Sequence, residues 1–317
     1  MVRLQNSLTL AQAVDGFLLA RRAEGLSSNT IDQYRWACQK LAGHLAGNPP
    51  LAAITTDDIR ACLADLDHLS TKSRHSVQVA LSALWTWATA EGYAEAHVVK
   101  PIHLPRTHRP DIEPFTQAEL RRLLQACDKS ATYSSRRHPA GTANTRPTAG
   151  RDKAILIFLV DTGIRASELC ALRVADVSME NRAVTIRSGK GGKPRVIHFA
   201  QRCHQALWRY HVTRQPHLAP GQPLFHTGPA DLPEPFDRQV LGRLLSRIGE
   251  RAGVHCNPHR FRHTFAIEFL RNGGNLFALQ DLLGHSSLEM VRRYARIVQA
   301  DRAHAHKIAS PADNWRL

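Results

Sequence analysis

The stretch 259-HRFRHTFAIEFLRNGG-274 sets two histidines and two arginines within five residues and then turns into an apolar run of helical period. That spacing predicts a helix with one buried face. A dense group of cations and hydrogen-bonding rings thus stands at the start of a core helix, and three chemistries compete for it. They are a metal site, an anion site, and a basic surface that merely adjoins the core. His259 and His263 are four apart and share a face, as zinc ligands do. The residue after His259 is Arg260, however, where a zinc-protease helix carries glutamate, and cations beside a dication repel it. No metal and no cofactor is therefore expected.

Bulk properties favour an anion. The chain has 317 residues, 43% of them apolar, which suits two globular domains. Lys and Arg number 42 against 27 Asp and Glu, a formal charge of +15. An excess of that size attracts polyanions, nucleic acid first and an anionic membrane second. No apolar run is long enough to span a bilayer, and MVRLQNSLTLAQAV lacks a signal-peptide core. Cys38, Cys62, Cys127, Cys170, Cys203 and Cys256 are scattered, without a CxxC pair, and read as reduced core thiols. A soluble, cytoplasmic, basic protein without membrane partners is expected.

From Leu8 to about Tyr93 the pattern is helical throughout. LTLAQAVDGFLLARRAEG, SSNTIDQYRWACQKLAGHLAG, TTDDIRACLADL and STKSRHSVQVALSALWTWATAEGY predict four helices, several opened by Ser, Thr or Asp caps. Residues 1–97 are therefore expected as one helical domain. The stretch VVKPIHLPRTHRPD, 98–111, holds prolines and cations, Arg106 among them, and predicts an extended linker. It either follows a phosphate backbone or is a solvated hinge. Residues 112–317 make the second domain. It opens with the capped helix TQAELRRLLQACDKS and then loses periodicity over 131–150, where an exposed, mobile loop carrying Arg136, Arg137 and Arg146 is expected. RDKAILIFLVDTG and SELCALRVADV predict helices. AVTIRS and PRVIHFA around GKGGK predict a β-hairpin with a lysine-bearing turn.

Four separated places carry polar residues of chemical interest. In 161-DTGIRASELCALR-173, Arg165 opens a helix, a good place to hold an anion, or else it simply pairs with Glu168. Lys190 lies in the hairpin turn, where lysine is ordinarily just solvated. The third place is 259-HRFRH-263. The fourth is 284-GHSSLEMVRRYARI-297, with His285 after a glycine and Tyr294 in an amphipathic run, by default a core position.

Taken together, TGIRASELCALRVADV, SGKGGKPRVI, HRFRHTFA and LGHSSLEMVRRYARI resemble, in order and spacing, the tyrosine recombinase (phage integrase) family in its Xer-like two-domain form. The resemblance covers nearly the whole chain. It implies a mainly α fold: an N-terminal four-helix core-DNA-binding (SAM-like) domain and an α-rich catalytic domain with a small β-sheet. It implies Arg165 and Arg262 as the paired arginines, Lys190 as the hairpin lysine, His259 and His285 as the two histidines, and Tyr294 as the nucleophile.

The set is chemically coherent. A phenol oxygen can open a phosphodiester and leave a phosphotyrosyl link, so that resealing needs no ATP. Two forked guanidinium groups can neutralise the charge that builds on the nonbridging oxygens. A histidine suits the phenol's proton at neutral pH, a role assigned to His259. Lys190 would protonate the leaving 5′ hydroxyl, with Lys193 the alternative acid, and His285 would donate to a phosphate oxygen. Glu168 would orient Arg165. Lys72, Arg74, Arg106, Lys193 and Arg260 are expected to touch DNA. Arg260 and His263 are read as lying outside the catalytic set, touching the DNA backbone or pairing with nearby acidic groups. The family implies duplex DNA as partner, a homotetramer on two sites (or assembly with a related recombinase), a Holliday junction and a nucleoid-associated cytoplasmic location. Residues after Tyr294 either dock in a neighbour through Ile308 or Trp315, or fray. A type IB topoisomerase would use similar chemistry without a defined site.

Overall fold

The computed structural model describes residues 8–105, 113–130, 133–135, 138–142, 144–187, 194–212, 219–228, 233–284 and 294. Arg106, Arg136, Arg137, Lys190, Lys193, His285, Ile308 and Trp315 lie outside them. The chain forms two compact units, residues 1–110 and 111–317. Among the described residues, no helix is long and apolar enough to cross a membrane.

The first unit is built from α1 (Leu10–Ala23), α2 (Ser28–His44), α3 (Thr56–Asp65) and α4 (Thr71–Ala90). Each opens on a hydroxyl cap: Thr9, Ser27, Thr55 and Ser70 accept from the backbone N–H three residues on. This satisfies donors that a helix start otherwise leaves unpaired. The apolar stripes meet in one core around Phe17, Leu41, Ile59, Leu81 and Trp85. Each such side chain contributes about 1.5–3 kcal/mol on burial. The core extends past the boundary expected at residue 97. Val99 and Ile102 are buried in it, and the Ile102 carbonyl accepts from Gln78 Nε2 at 2.6 Å. The start of the expected linker is therefore part of the domain, because its two aliphatic side chains find an apolar seat.

The second unit contains α5 (Gln117–Ala126), β1 (Tyr133–Ser135), β2 (His138–Thr142), α6 (Ala149–Thr162), α7 (Ala166–Ala171), β3 (Val177–Ser178), β4 (Ala183–Ile186), β5 (Arg195–His198), α8 (Gln201–Val212), α9 (Arg238–Ala252), α10 (Pro258–Arg271) and α11 (Leu276–Leu283). The central helix is α6, whose Ile155, Phe158 and Leu159 are buried and which packs against α8 and α10. The three-stranded sheet has the order β3-β4-β5, antiparallel throughout, with Val184 opposite Ile197. Its β4–β5 pair is the hairpin expected around GKGGK.

Two expectations are corrected. The segment 131–150 is not a structureless loop: β1 and β2 pair in antiparallel fashion, with Tyr133 opposite Thr142. The hairpin is closed at its root by Ser130 N–H donating to the Asn144 carbonyl and Arg146 N–H to that of Asp128. Its strands YSS and HPAGT show no apolar alternation, so nothing marks it in the sequence. The helix expected over SELCALRVADV ends early, at Ala171. Asp176 turns back to accept from the Arg173 N–H and also pairs with Arg187, and the β-branched Val177 enters β3.

Candidate active site

Four helix ends meet in the second unit. α6 stops at Gly163, which adopts φ +61°, and α11 stops at Gly284, with φ +60°. Both ends leave carbonyls without helical partners and with the negative end of the helix dipole. α7 begins with Arg165 as its cap residue, and α10 begins after Asn257, whose side chain accepts from the Arg260 N–H.

Arginines fill these ends. Arg262 is buried; its two terminal nitrogens donate to the Gly163 carbonyl at 2.8 Å and the Leu283 carbonyl at 2.7 Å. One guanidinium therefore ties the C-terminus of α6 to that of α11. Burial, with the like charge of Arg165 adding, pushes its pKa down to about 10, so it remains a cation at neutral pH. Arg165 donates to the next carbonyl, Gly284, at 3.0 Å, and to Glu168 at 2.8 Å. The two guanidinium groups thus sit on consecutive carbonyls. Arg165 does pair with Glu168, and its side chain still keeps 27% exposure, enough for an anion to reach it.

Glu168 organises more than Arg165. Its side chain is 4% exposed and also receives a forked pair of hydrogen bonds from Arg195, at 2.9 and 2.8 Å. Burial alone would raise its carboxyl pKa. The hydrogen bonds from Arg195 and Arg165, with the charge of Arg195, outweigh burial and hold it below the ordinary glutamate range. Arg195 also donates to the Leu282 carbonyl at 2.8 Å, which anchors β5 to α11. Sequence reasoning missed Arg195. Its signal was a cation on the first residue of the strand after the lysine-bearing turn, near a glutamate already expected to orient one arginine.

Tyr294 completes the group. It is 1% exposed, packs with Phe265, Ile267, Leu279 and Leu283, and is near enough to Arg262 to interact electrostatically. Its hydroxyl oxygen lies 2.7 Å from Nδ1 of His263. The histidine expected beside the phenol was His259. That residue is exposed, one turn earlier, with its ring parallel to that of His263 at 5.3 Å between centroids. Their four-residue spacing is the signal for His263: both rings occupy one face of α10, and the later one reaches further toward the core.

Arg165, Glu168, His259, Arg262 and Tyr294 are therefore gathered in one region of the second unit. Arg260 points elsewhere. It donates to Glu119 at 2.8 and 3.0 Å and to the carbonyls of Glu113, Pro114 and His255, and it covers the Phe115 ring. This side chain clamps α10 to α5, which is the ion-pair alternative. Arg146 pairs with the fully buried Asp152. Lys72 and Arg74 lie in the first turn of α4 in the first unit, exposed and half-buried respectively.

A test of this scaffold needs no DNA. A Cβ on Gly163 would come 2.3 Å from the Phe265 ring, and the backbone there is left-handed. Gly163→Ala is expected to cost about 2–5 kcal/mol in urea unfolding, the sum of the αL penalty and the overpacking. A loss of only about 1–2 kcal/mol would mean that the ring yields and the backbone penalty alone remains.

The Phage integrase family model matches residues 113–300, and the Phage integrase, N-terminal SAM-like domain model matches residues 15–92. The chain belongs to the phage integrase family, the tyrosine recombinases, which break and rejoin DNA. It is 31% identical to Tyrosine recombinase XerC of Oceanobacillus iheyensis over 91% of this chain and 92% of that one. It is 29% identical to Tyrosine recombinase XerA of Thermococcus onnurineus over 86% of each chain. The fold is also that of a lambda integrase tetramer crystallised on a Holliday junction, with TM-score 0.70 at 19% identity over 92% of this chain and 78% of that one.

Proposed function

We propose that this protein is a site-specific DNA recombinase that cuts and rejoins strands through a 3′-phosphotyrosyl intermediate on Tyr294. The observation that carries the reading is the seating of Arg165 and Arg262 on the consecutive carbonyls of Leu283 and Gly284, with the Tyr294 hydroxyl in the same region. A scissile phosphate held there meets two permanent cations, which offset the charge of the five-coordinate transition state. Glu168 and Arg195 hold Arg165 in place. Lys190 protonates the departing 5′ oxygen and His285 donates to a nonbridging oxygen; the order and spacing of the family's motifs support both roles.

Residues of the first unit, Lys72 and Arg74 among them, contact the target duplex, and four protomers assemble on two sites through a Holliday junction. The lambda integrase tetramer of the same fold supports that assembly. Arg106, outside the described residues, contacts the DNA backbone. A type IB topoisomerase is not favoured, since the relatives are recombinases over most of their length.

Covalent trapping tests the reading. Nicked duplexes drawn from the DNA that flanks the gene, incubated with the protein in excess chelator, are expected to yield a denaturation-resistant adduct. Mass spectrometry of its tryptic peptides should place the nucleotide on Tyr294. An adduct on another residue, or one that vanishes in chelator, overturns the proposal.

A further inference from the structure

Helix α10 carries two histidines on one face, and His263 is the one that meets the phenol. Its Nδ1 stands 2.7 Å from the Tyr294 hydroxyl oxygen, at the short end for a hydrogen bond between nitrogen and oxygen. The ring planes cross at 56°, with centroids 5.6 Å apart. His263 is half-buried and Tyr294 almost wholly so, against Phe265, Ile267, Leu279 and Leu283. The contact is therefore sheltered from bulk water, where a proton can pass between two fixed partners without competition from solvent. His259 is exposed at the mouth of the same helix.

We propose that His263 is a catalytic residue, the group that exchanges the phenolic proton of Tyr294, and that His259 serves the phosphate instead. The inference rests on Tyr294 as the nucleophile. On cleavage the bond from the tyrosyl oxygen to phosphorus forms and the bond from phosphorus to the 5′ oxygen breaks. The phenolic proton passes to Nδ1 of neutral His263, which becomes an imidazolium. The 5′ oxygen takes its proton from a separate acid, for which Lys190 is proposed. On resealing, the 5′ hydroxyl attacks phosphorus and returns its proton to the conjugate base of that separate acid, and the tyrosyl oxygen leaves and recovers its proton from His263. A phenol is by nature a weaker acid than an imidazolium, so the proton begins on the tyrosyl oxygen. The transfer becomes downhill only as the oxygen bonds to phosphorus, which is when a general base acts.

The experiment uses the full chain and a nicked duplex from which the native protein forms the adduct. His263→Ala, His263→Gln and Tyr294→Phe are compared for DNA binding, thermal midpoint and rate of adduct formation. His263→Ala is expected to slow adduct formation by about 10²–10⁴-fold while binding persists. His263→Gln keeps a hydrogen-bonding side chain but cannot act as a base. It should be as slow as the alanine variant, and it carries the same test if alanine unsettles the fold. Sulfur in place of the 5′ bridging oxygen leaves without a proton, so this substrate should not restore either variant. Fluorotyrosine at 294, whose hydroxyl is more acidic, should narrow the gap. Native-like cleavage by His263→Gln, or its recovery on the sulfur substrate, overturns the assignment. An adduct formed by Tyr294→Phe would instead remove the nucleophile beneath it, so the two failures are distinguishable.

Discussion

Tyr294→Phe is expected to bind target DNA as the native protein does and to form no covalent adduct at any time or concentration. The substitution deletes one oxygen and keeps the ring that fills the apolar cluster of Phe265, Ile267, Leu279 and Leu283. The fold should lose the hydrogen bond to His263, about 1 kcal/mol. Catalysis loses the atom that attacks phosphorus, for which the arginines offer no substitute, since they stabilise charge and carry no nucleophile. Gel-shift binding alongside denaturing electrophoresis separates the two effects. Adduct formation by the variant sinks the nucleophile assignment. Lost binding would instead mean that the hydroxyl supports the DNA-bound architecture.

Much of this arrangement was legible in the sequence, and what escaped has physical causes. The four helices of the first unit were visible because each pairs a hydroxyl cap with a regular apolar stripe, as Thr9 and Ser27 do ahead of α1 and α2. The β4–β5 hairpin was visible because its strands alternate around a glycine-rich turn. The β1–β2 hairpin was not, since YSS and HPAGT show no apolar alternation; hydrogen bonds at Ser130 and Arg146 close its root. Within the site, Arg165 and Arg262 were legible through motif order. The long-range partners of the site were not: Arg195 reaches Glu168 across 27 positions, and His263 reaches Tyr294 across 31. Period identifies a face of a helix, but only packing shows which of two residues on that face arrives at the third.

Glu168→Gln is expected to destabilise the second unit and silence cleavage together. The carboxylate is nearly buried and answers two arginines, Arg165 and the 12%-exposed Arg195. A glutamine keeps the shape but cannot balance either cation. Removing one partner from such a buried arrangement costs about 3–5 kcal/mol. For a unit of this size that lowers the thermal midpoint by about 10 °C. Acid supplies a second readout. Because the folded carboxyl titrates below its ordinary range, its stabilisation is complete above the unfolded pKa, about 4.3, and fades as the pH falls through the folded pKa. The gap between native protein and variant should therefore be constant from pH 7 down to about 5 and shrink at lower pH. Activity should fall further than stability explains, since Arg165 would be left with its Gly284 anchor and without its carboxylate guide. Urea unfolding from pH 3 to 7, paired with adduct formation at a temperature where both proteins stay folded, checks both halves. A gap that persists undiminished at pH 3 would place the stabilising carboxylate somewhere other than Glu168, and cleavage at the native rate would show that Arg165 needs no partner to grip the phosphate.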